Sequence, residues 1–340
     1  MSTPAALDFE RPIYDLERKI QELIAFQEAK GVDLSETIEQ LRAEQRRVAK
    51  SVYANLVPWQ EVQVARHRDR PSTMDFIGMM FTDFLELHGD RLFGDDGAVV
   101  CGFARLDGRR LMVIGHRKGK SARESVACNW GLAHPEGYRK AMHKARLAER
   151  LRLPIVMFID TAGAYPGVGA EERGIAQSIA ENIADLSTLR VPIVCVILGE
   201  GASGGALGIG VGDRILMLQH AYFSVITPEG CAAILFRSSD KKEEAAAALH
   251  LTSRDMLELG IADEVVPEAD LAAHYQPRQA AKCLKEALIR HLDQLLAMPT
   301  DELLAKRYDK YRRLGKFLSP EPDGQGAGPP ATATASHHGS

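Results

Sequence analysis

Two glycine-rich turns, each directly after a short apolar run, constrain this chain more than any other feature. The first reads Ile159-Asp-Thr-Ala-Gly-Ala-Tyr-Pro-Gly-Val-Gly-Ala-Glu-Glu-Arg-Gly174. The second reads Gly199-Glu-Gly-Ala-Ser-Gly-Gly-Ala-Leu-Gly-Ile-Gly210. The runs before them, Pro154–Asp160 and Pro192–Gly199, are short and β-branched. Such runs read as strands buried on both faces of a sheet. Where a strand bends into a helix, the first backbone N–H groups have no intrahelical partner. Glycine removes the side chain that would keep a ligand away from them. Each turn is therefore a candidate donor site for an anion, either a phosphate or an oxyanion that develops during a reaction.

Nucleotide-binding patterns fit poorly. A P-loop needs Lys-Ser/Thr after its last glycine, and neither turn has it. Gly199-x-Gly201-x-x-Gly204 matches a dinucleotide fingerprint in spacing, but it follows a late strand and lacks the acid about 20 residues on. The plainer alternative is that the glycines only let helix and strand pack closely. Two such turns after consecutive buried strands favour a site.

Around the turns, strands and helices alternate from about 71 to 298, which defines an α/β domain. Asp107-Gly108 between two apolar runs predicts a hairpin. Helices are expected from Pro135 to Arg152 and from Glu171 to Leu189. Further strands are expected at Arg214–Leu218 and Tyr222–Ile226. Residues 1–70 form an N-terminal helical arm. In it Ile13, Leu16, Ile20, Leu23 and Ile24 recur at helical spacing, and Ile38, Leu41, Val48 and Val52 resume the stripe beyond Gly31. Asp33 with Glu36 suggests a cap on the second helix, and a short turn predicts an antiparallel pair. A C-terminal helix occupies 299–318. The remainder, 319–340, is rich in Pro, Gly, Ala and Thr and reads as a disordered, dispensable tail.

Composition excludes several classes. The formal net charge of -4 gives no general pull toward nucleic acid or an anionic membrane. No apolar run approaches the ~18 residues of a membrane span. The start of the chain lacks the basic-then-apolar order of a signal peptide. The five cysteines, Cys101, Cys128, Cys195, Cys231 and Cys283, stand far apart. They make no C-x-x-C pair and read as free thiols of a reducing cytosol. No metal site is expected in this chain, and its location is read as cytoplasmic.

Several motifs resemble the alpha-subunit family of acetyl-CoA carboxylase carboxyltransferase. They are Phe158 to Gly174, Pro135-Glu-Gly-Tyr-Arg-Lys-Ala141, Gly199 to Leu207, Val225-Ile-x-Pro-Glu-Gly-Cys231, Asp8-Phe-Glu-x-Pro12 and Gly115-His-x-Lys-Gly119. The resemblance runs from about Leu7 to Lys316, with the motifs in order. It implies a crotonase-like spiral of ββα units and a heterotetramer of two alpha and two beta subunits that share the active site. In that family biotin is presented by a carrier protein and charged by biotin carboxylase, which uses ATP. The carboxyl group then passes to acetyl-CoA, giving malonyl-CoA for fatty acid synthesis. The resemblance implies no covalently bound cofactor in the alpha chain, and zinc only in the beta subunit. It also carries departures. Ala162 stands where Pro is usual and Ala202 where Gly is usual. Ala127-Cys128 replaces a commonly basic pair, which leaves room for a specialised paralogue acting on another acyl-CoA.

Mapped by motif, the oxyanion donors are the N–H groups of Ala164 or Gly163 and of Gly204 or Gly205. The carboxybiotin side is expected to include Tyr165, Gly167, Val168, Ser203 and Glu229. A valine at Gly204 is expected to project into the space of the bound oxygen. His116, Lys118 and Lys120 form a basic cluster for contact with CoA phosphates or the carrier. Leu207, near the position where related hydratases hold a catalytic acid, cannot transfer a proton. Ser203 beside Gly204-Gly205 also suggests a crotonase-fold serine hydrolase, which would need a nearby base.

Overall fold

The structure, a computed structural model, describes residues 7 to 315. The tail at 319–340 and residues 316–318 of the expected C-terminal helix lie outside the described residues.

The arm opens with α1 (Arg11–Lys30) and α2 (Ser35–Ala54), packed together as a pair. Ile13 and Ile20 of α1 and Ile38, Ala49 and Tyr53 of α2 are buried, as the apolar spacing predicts. Gly31 ends α1 at φ 64°, with its N–H on the Gln27 carbonyl at 2.9 Å; this left-handed cap suits glycine. The expected cap by Asp33 and Glu36 does not form: Leu34 holds the N-cap position without a side-chain cap, and Asp33, one residue earlier, accepts from the Ser35 N–H at 3.0 Å. A third helix, α3 (Pro58–Ala65), sets Val62 and Ala65 against Ala202 and Tyr222. Next comes α4 (Thr73–Met80), capped by the Ser72 hydroxyl on the Asp75 N–H.

One eight-stranded sheet follows the order β1 (Thr82–Glu86), β2 (Val99–Leu106), β3 (Arg109–His116), β4 (Ile155–Thr161), β5 (Ile193–Ala202), β6 (Arg214–Leu218) and β8 (Glu264–Val266). The short β7 (Tyr222–Ser224) pairs separately with β5. The first three strands are antiparallel and the rest parallel. Asp107 and Gly108, at φ 52° and 80°, close the β2–β3 hairpin, with Leu106 facing Arg109. Positive φ at both central residues is what a two-residue hairpin requires. Ile155–Ile159 and Ile193–Ile197 are at most 1% exposed, so both runs lie buried on both faces, as expected of parallel central strands.

β5 decides the architecture around the turns. Its first part, Val194–Ile197, pairs with β6, while Glu200–Ala202 leave that edge and pair with β7. On the other side Gly201 faces Thr161. The glycines inside this strand serve packing. A Cβ on Gly199 would meet the Ala65 carbonyl at 2.8 Å, and one on Gly201 the Phe223 ring at 2.8 Å.

The helices after the hairpin are α5 (Ala122–Ala127), α6 (Pro135–Arg150), α7 (Val168–Glu172), α8 (Ile175–Thr188), α9 (Ser203–Leu207), α10 (Pro228–Leu235), α11 (Lys242–Ala248), α12 (Ser253–Glu258), α13 (Pro277–Leu296) and α14 (Thr300–Arg312). The single helix expected from Glu171 to Leu189 is two, because Gly174 at φ 79° breaks it. α14 is fastened by Arg307, 1% exposed. Its guanidinium meets Asp213 at 2.7 and 2.8 Å and the carbonyls of Leu186, Leu189 and Val191. Among the described residues no helix is long and apolar enough to cross a membrane.

Candidate active site at the two glycine turns

The first turn leaves β4 at Thr161. Its hydroxyl lies 2.7 Å from the carbonyl oxygens of both Gly131 and Gly163 and accepts from the Gly163 N–H at 3.1 Å. Gly131 ends a left-handed stretch, with Asn129, Trp130 and Gly131 at φ 45°, 52° and 79°. The loop then pairs Ala133 with Ala164, and the Tyr165 N–H donates to the Ala133 carbonyl at 3.0 Å. The Tyr165 ring stacks on His134 with 4.1 Å between centroids.

The second turn leaves β5 at Ser203, whose φ of 63° bends the strand into α9. Here the two turns meet. A Cβ on Gly205 would stand 2.5 Å from the Ala164 nitrogen and closer still to the Gly163 carbonyl carbon. Only glycine allows this approach. The Gly205 carbonyl accepts from the Tyr138 hydroxyl at 3.2 Å, and Gly208 leaves room for the Tyr138 ring. Among the described residues the Ala164 N–H enters no hydrogen bond. The first N–H groups of α9 have no intrahelical acceptor.

Beneath the turns lies a set of charges. Asp160 and Glu200 each stand near the end of their strand, just before a turn. Lys118 Nζ reaches both, at 2.8 Å to Asp160 and 2.6 Å to Glu200. Arg66, just past α3, donates to Glu200 at 2.6 Å, to Glu229 at 2.6 Å and to the Tyr222 hydroxyl at 3.0 Å. Tyr222 in turn donates to Glu200 at 2.8 Å. Burial alone would raise the Glu200 pKa, but Lys118 and Arg66 outweigh it and hold it at about 2. Burial disfavours the charge on Lys118, yet Asp160 and Glu200 keep its pKa above the ordinary lysine value.

The structure gathers Gly163, Ala164, Gly204, Gly205 and Ser203 at one place, while the other expected site residues fall differently. A Cβ on Gly167 would strike the Tyr165 ring, so this glycine accommodates the tyrosine. Val168 is 75% exposed on α7. Glu229, in the first turn of α10, is tied to Arg66. Gly204 differs from the expectation for its valine variant. Its Cβ would point toward Ile179 of α8, in ordinary contact at 3.8 Å. The expected basic cluster is divided between the interior and the surface. β3 runs on through His116, which is fully buried, and Lys118 turns inward, leaving Lys120 outside with Asp75 at 2.6 Å. His116 Nδ1 accepts from the Asp160 N–H at 3.4 Å. Burial, reinforced by the Lys118 charge, pushes its pKa down to about 3, so the ring is neutral.

Sequence reading missed Asp160, Glu200, Arg66 and Tyr222. A signal existed for the two acids, each of which precedes its glycine turn by a few residues. Arg66 and Tyr222 carry no local signal. One metal-ligand set occurs among the described residues, Glu10, His67 and His274, with ligand atoms within 4.8 Å of one another. Glu10 already accepts from Tyr53 at 2.8 Å and pairs with His274 at 3.2 Å. His67 Nδ1 accepts from the Asp69 N–H at 3.2 Å. These hydrogen bonds fasten the arm to the segment before α13.

Comparison with solved structures finds the same fold. Transcarboxylase 12S with methylmalonyl-coenzyme A and methylmalonic acid bound aligns at TM-score 0.54 and 19% identity, over 75% of this chain and 44% of that one. A Pseudomonas malonate decarboxylase hetero-tetramer in complex with coenzyme A aligns at TM-score 0.51 and 20% identity, over 65% and 88%. The architecture is thus the crotonase-like fold that the sequence resemblance implies. A family model described as acetyl co-enzyme A carboxylase carboxyltransferase-like matches residues 6–315. The acetyl-coenzyme A carboxylase carboxyl transferase subunit alpha of Rhodopirellula baltica is 52% identical over 316 residues, 92% of this chain and 98% of the relative. That of Halalkalibacterium halodurans is 49% identical over 311 residues, 92% and 96%. The chain belongs to the family of acetyl-CoA carboxylase carboxyltransferase alpha subunits, and it is a transferase component.

Proposed function

We propose that this chain works with a beta subunit to move a carboxyl group from carboxybiotin on its carrier protein to acetyl-CoA, giving malonyl-CoA in the cytoplasm. The observation that carries the reading is the closure of the two glycine turns, with Gly205 seated against Gly163 and Ala164. Carboxybiotin supplies an activated carboxyl group on a neutral ring whose oxygen gains negative charge as that group departs. An amide without a partner at Ala164, faced by glycine backbone, suits such an oxygen. Ala164 and Gly204 or Gly205 hold the oxygen by N–H donation. Preorganised donors of this kind are each worth about 10²–10³ in rate. Tyr165, held by its stack on His134, walls the carboxybiotin side together with Gly167, Val168, Ser203 and Glu229. The supply of carboxybiotin by an ATP-using biotin carboxylase, and zinc in the beta subunit, belong to the same proposal.

A second subunit is needed because, among the described residues, no side chain at the turns is free to act as acid or base: Asp160 and Glu200 are taken up by Lys118 and Arg66. Leu207 is half exposed beside the turn and cannot transfer a proton. Exposed apolar side chains on β7's continuation and α10, Val225, Ile234 and Leu235, suit a partner surface. Ser203 gives one observation to the hydrolase alternative, since a strained serine between strand and helix is how a nucleophile elbow is built. Among the described residues, however, no histidine or lysine hydrogen-bonds to it. The test of the main reading is malonyl-CoA formation from carboxylated carrier and acetyl-CoA. The chain mixed with its beta subunit should be active; inactivity of an assembled complex would overturn the reading.

A further inference from the structure

Asp160 and Glu200 pose an electrostatic problem. Both are almost fully buried, both stand at strand ends just before a turn, and both are carboxylates. A negative charge developing at the turns would be opposed by each of them, and in a water-poor interior that opposition is poorly screened. The chain places two cations against these acids from distant segments. Lys118 enters from the loop after β3 and bridges them at 2.8 and 2.6 Å. Arg66 enters from the arm and reaches Glu200 and Glu229, both at 2.6 Å. A glycine at 131 admits the Lys118 stem, since a Cβ there would stand 3.1 Å from the lysine Cγ.

We propose that Lys118, with Arg66 beside it, is a positioning residue that cancels the charge of the two strand-end acids, so that the donors of the glycine turns act on a developing anion without an opposing field. The lysine touches no substrate; it acts through Asp160 and Glu200. This rests on the reading of the turns as the anion-holding part of the site. It departs from a role for Lys118 in phosphate contact, because its ammonium is taken up by carboxylates on the inside.

The experiment uses the assembled alpha–beta complex and measures malonyl-CoA formation. Lys118→Met should lower kcat by roughly 10²-fold, the order of losing one preorganised donor, with little change in KM for acetyl-CoA. Adding Glu200→Gln should restore much of the rate, as should adding Asp160→Asn. The groups facing those acids are Lys118, Arg66, Tyr222 and His116, with Glu229 reached through Arg66. An assembled Lys118→Met complex that does not recover with the second substitution would overturn the proposal, as would one with native rate. If Lys118→Met does not assemble, Arg66→Met tests the same charge balance: it should slow the reaction, and adding Glu229→Gln should restore it. A slow Arg66→Met complex without that recovery overturns the proposal. Failure of the underlying reading looks different: an assembled Gly205→Ala complex would keep its full rate.

Discussion

Gly205 of the second turn and Ala164 of the first sit so close that a single added methyl group would stand 2.5 Å from the Ala164 nitrogen. The two turns are thus one structure, built from the ends of β4 and β5, which lie side by side in the sheet. A substitution in one turn acts on the other.

The adjacent glycines should therefore respond differently. Gly205→Ala should displace the Gly163–Ala164 peptide and cut malonyl-CoA formation by at least about 10²-fold, with about 1–3 kcal/mol lost to overpacking. Gly204→Ala should assemble and keep most of its rate, because its methyl would meet only Ile179 at 3.8 Å. Thermal melts beside the activity assay compare the two. Equal losses for both would show that the packing at Gly205 is not what matters.

Without its partner the chain should form no malonyl-CoA, since Asp160 and Glu200 are held in ion pairs and, among the described residues, no other acid or base stands at the turns. Single-turnover assays with the purified alpha chain and carboxylated carrier check this. Robust product from alpha alone would contradict a shared site.

Ser203 should not label with a fluorophosphonate probe. Its left-handed backbone at φ 63° serves the bend from β5 into α9, and activation of its hydroxyl would require a base. Stoichiometric labelling, lost in Ser203→Ala, would revive the hydrolase reading.

Acid should destabilise the fold through Glu268. This carboxylate, 1% exposed, accepts from Arg70 at 2.9 Å and from the N–H groups of His220 and Ala273. Burial works against its charge, but Arg70 and these donors bring its pKa from 4.5 to about 2. A depressed carboxyl pKa contributes stability that is complete above the unfolded value and is lost as pH falls through the folded one. The loss should fall between about pH 5 and pH 2 and amount to about 3 kcal/mol. Urea titrations over that range should show it, and Glu268→Gln should flatten the dependence. An equally steep curve for that variant would assign acid lability elsewhere.

Arg307→Leu should cost about 3–5 kcal/mol, because it leaves Asp213 buried and unpaired. Urea unfolding of the variant measures this, and loss of α14 from the body of the protein should accompany it. A cost under about 1 kcal/mol would mean that solvent reaches Asp213 once the arginine is gone.

Much of the frame was legible along the chain, because it rests on local rules. Strand burial on both faces was written in Ile155–Ile159 and Ile193–Ile197, and the hairpin in Asp107-Gly108, whose dihedral angles few other pairs adopt. The arm followed from apolar spacing, and the glycine turns from residue type alone. β1 escaped notice because Thr82–Glu86 holds two acids and is largely unburied, with Asp83 at φ 53° disturbing its register. The break at Gly174 escaped because helical periodicity continues across it. What only the tertiary structure decided is how the site is balanced. Lys118 meets Asp160 across 42 positions and Glu200 across 82, and Arg66 meets Glu200 across 134. Spacing in the chain says nothing about such pairs; they exist because the sheet brings the ends of β4 and β5 together and the arm folds back over them. The same closure separates Gly204 from Gly205, buries His116 and turns Lys118 inward. The sequence by itself determined the strands, the turns and the residue types at their ends, since backbone geometry and apolar burial are local demands. Which N–H groups are left open and which charges are cancelled were settled by packing between segments far apart in the chain.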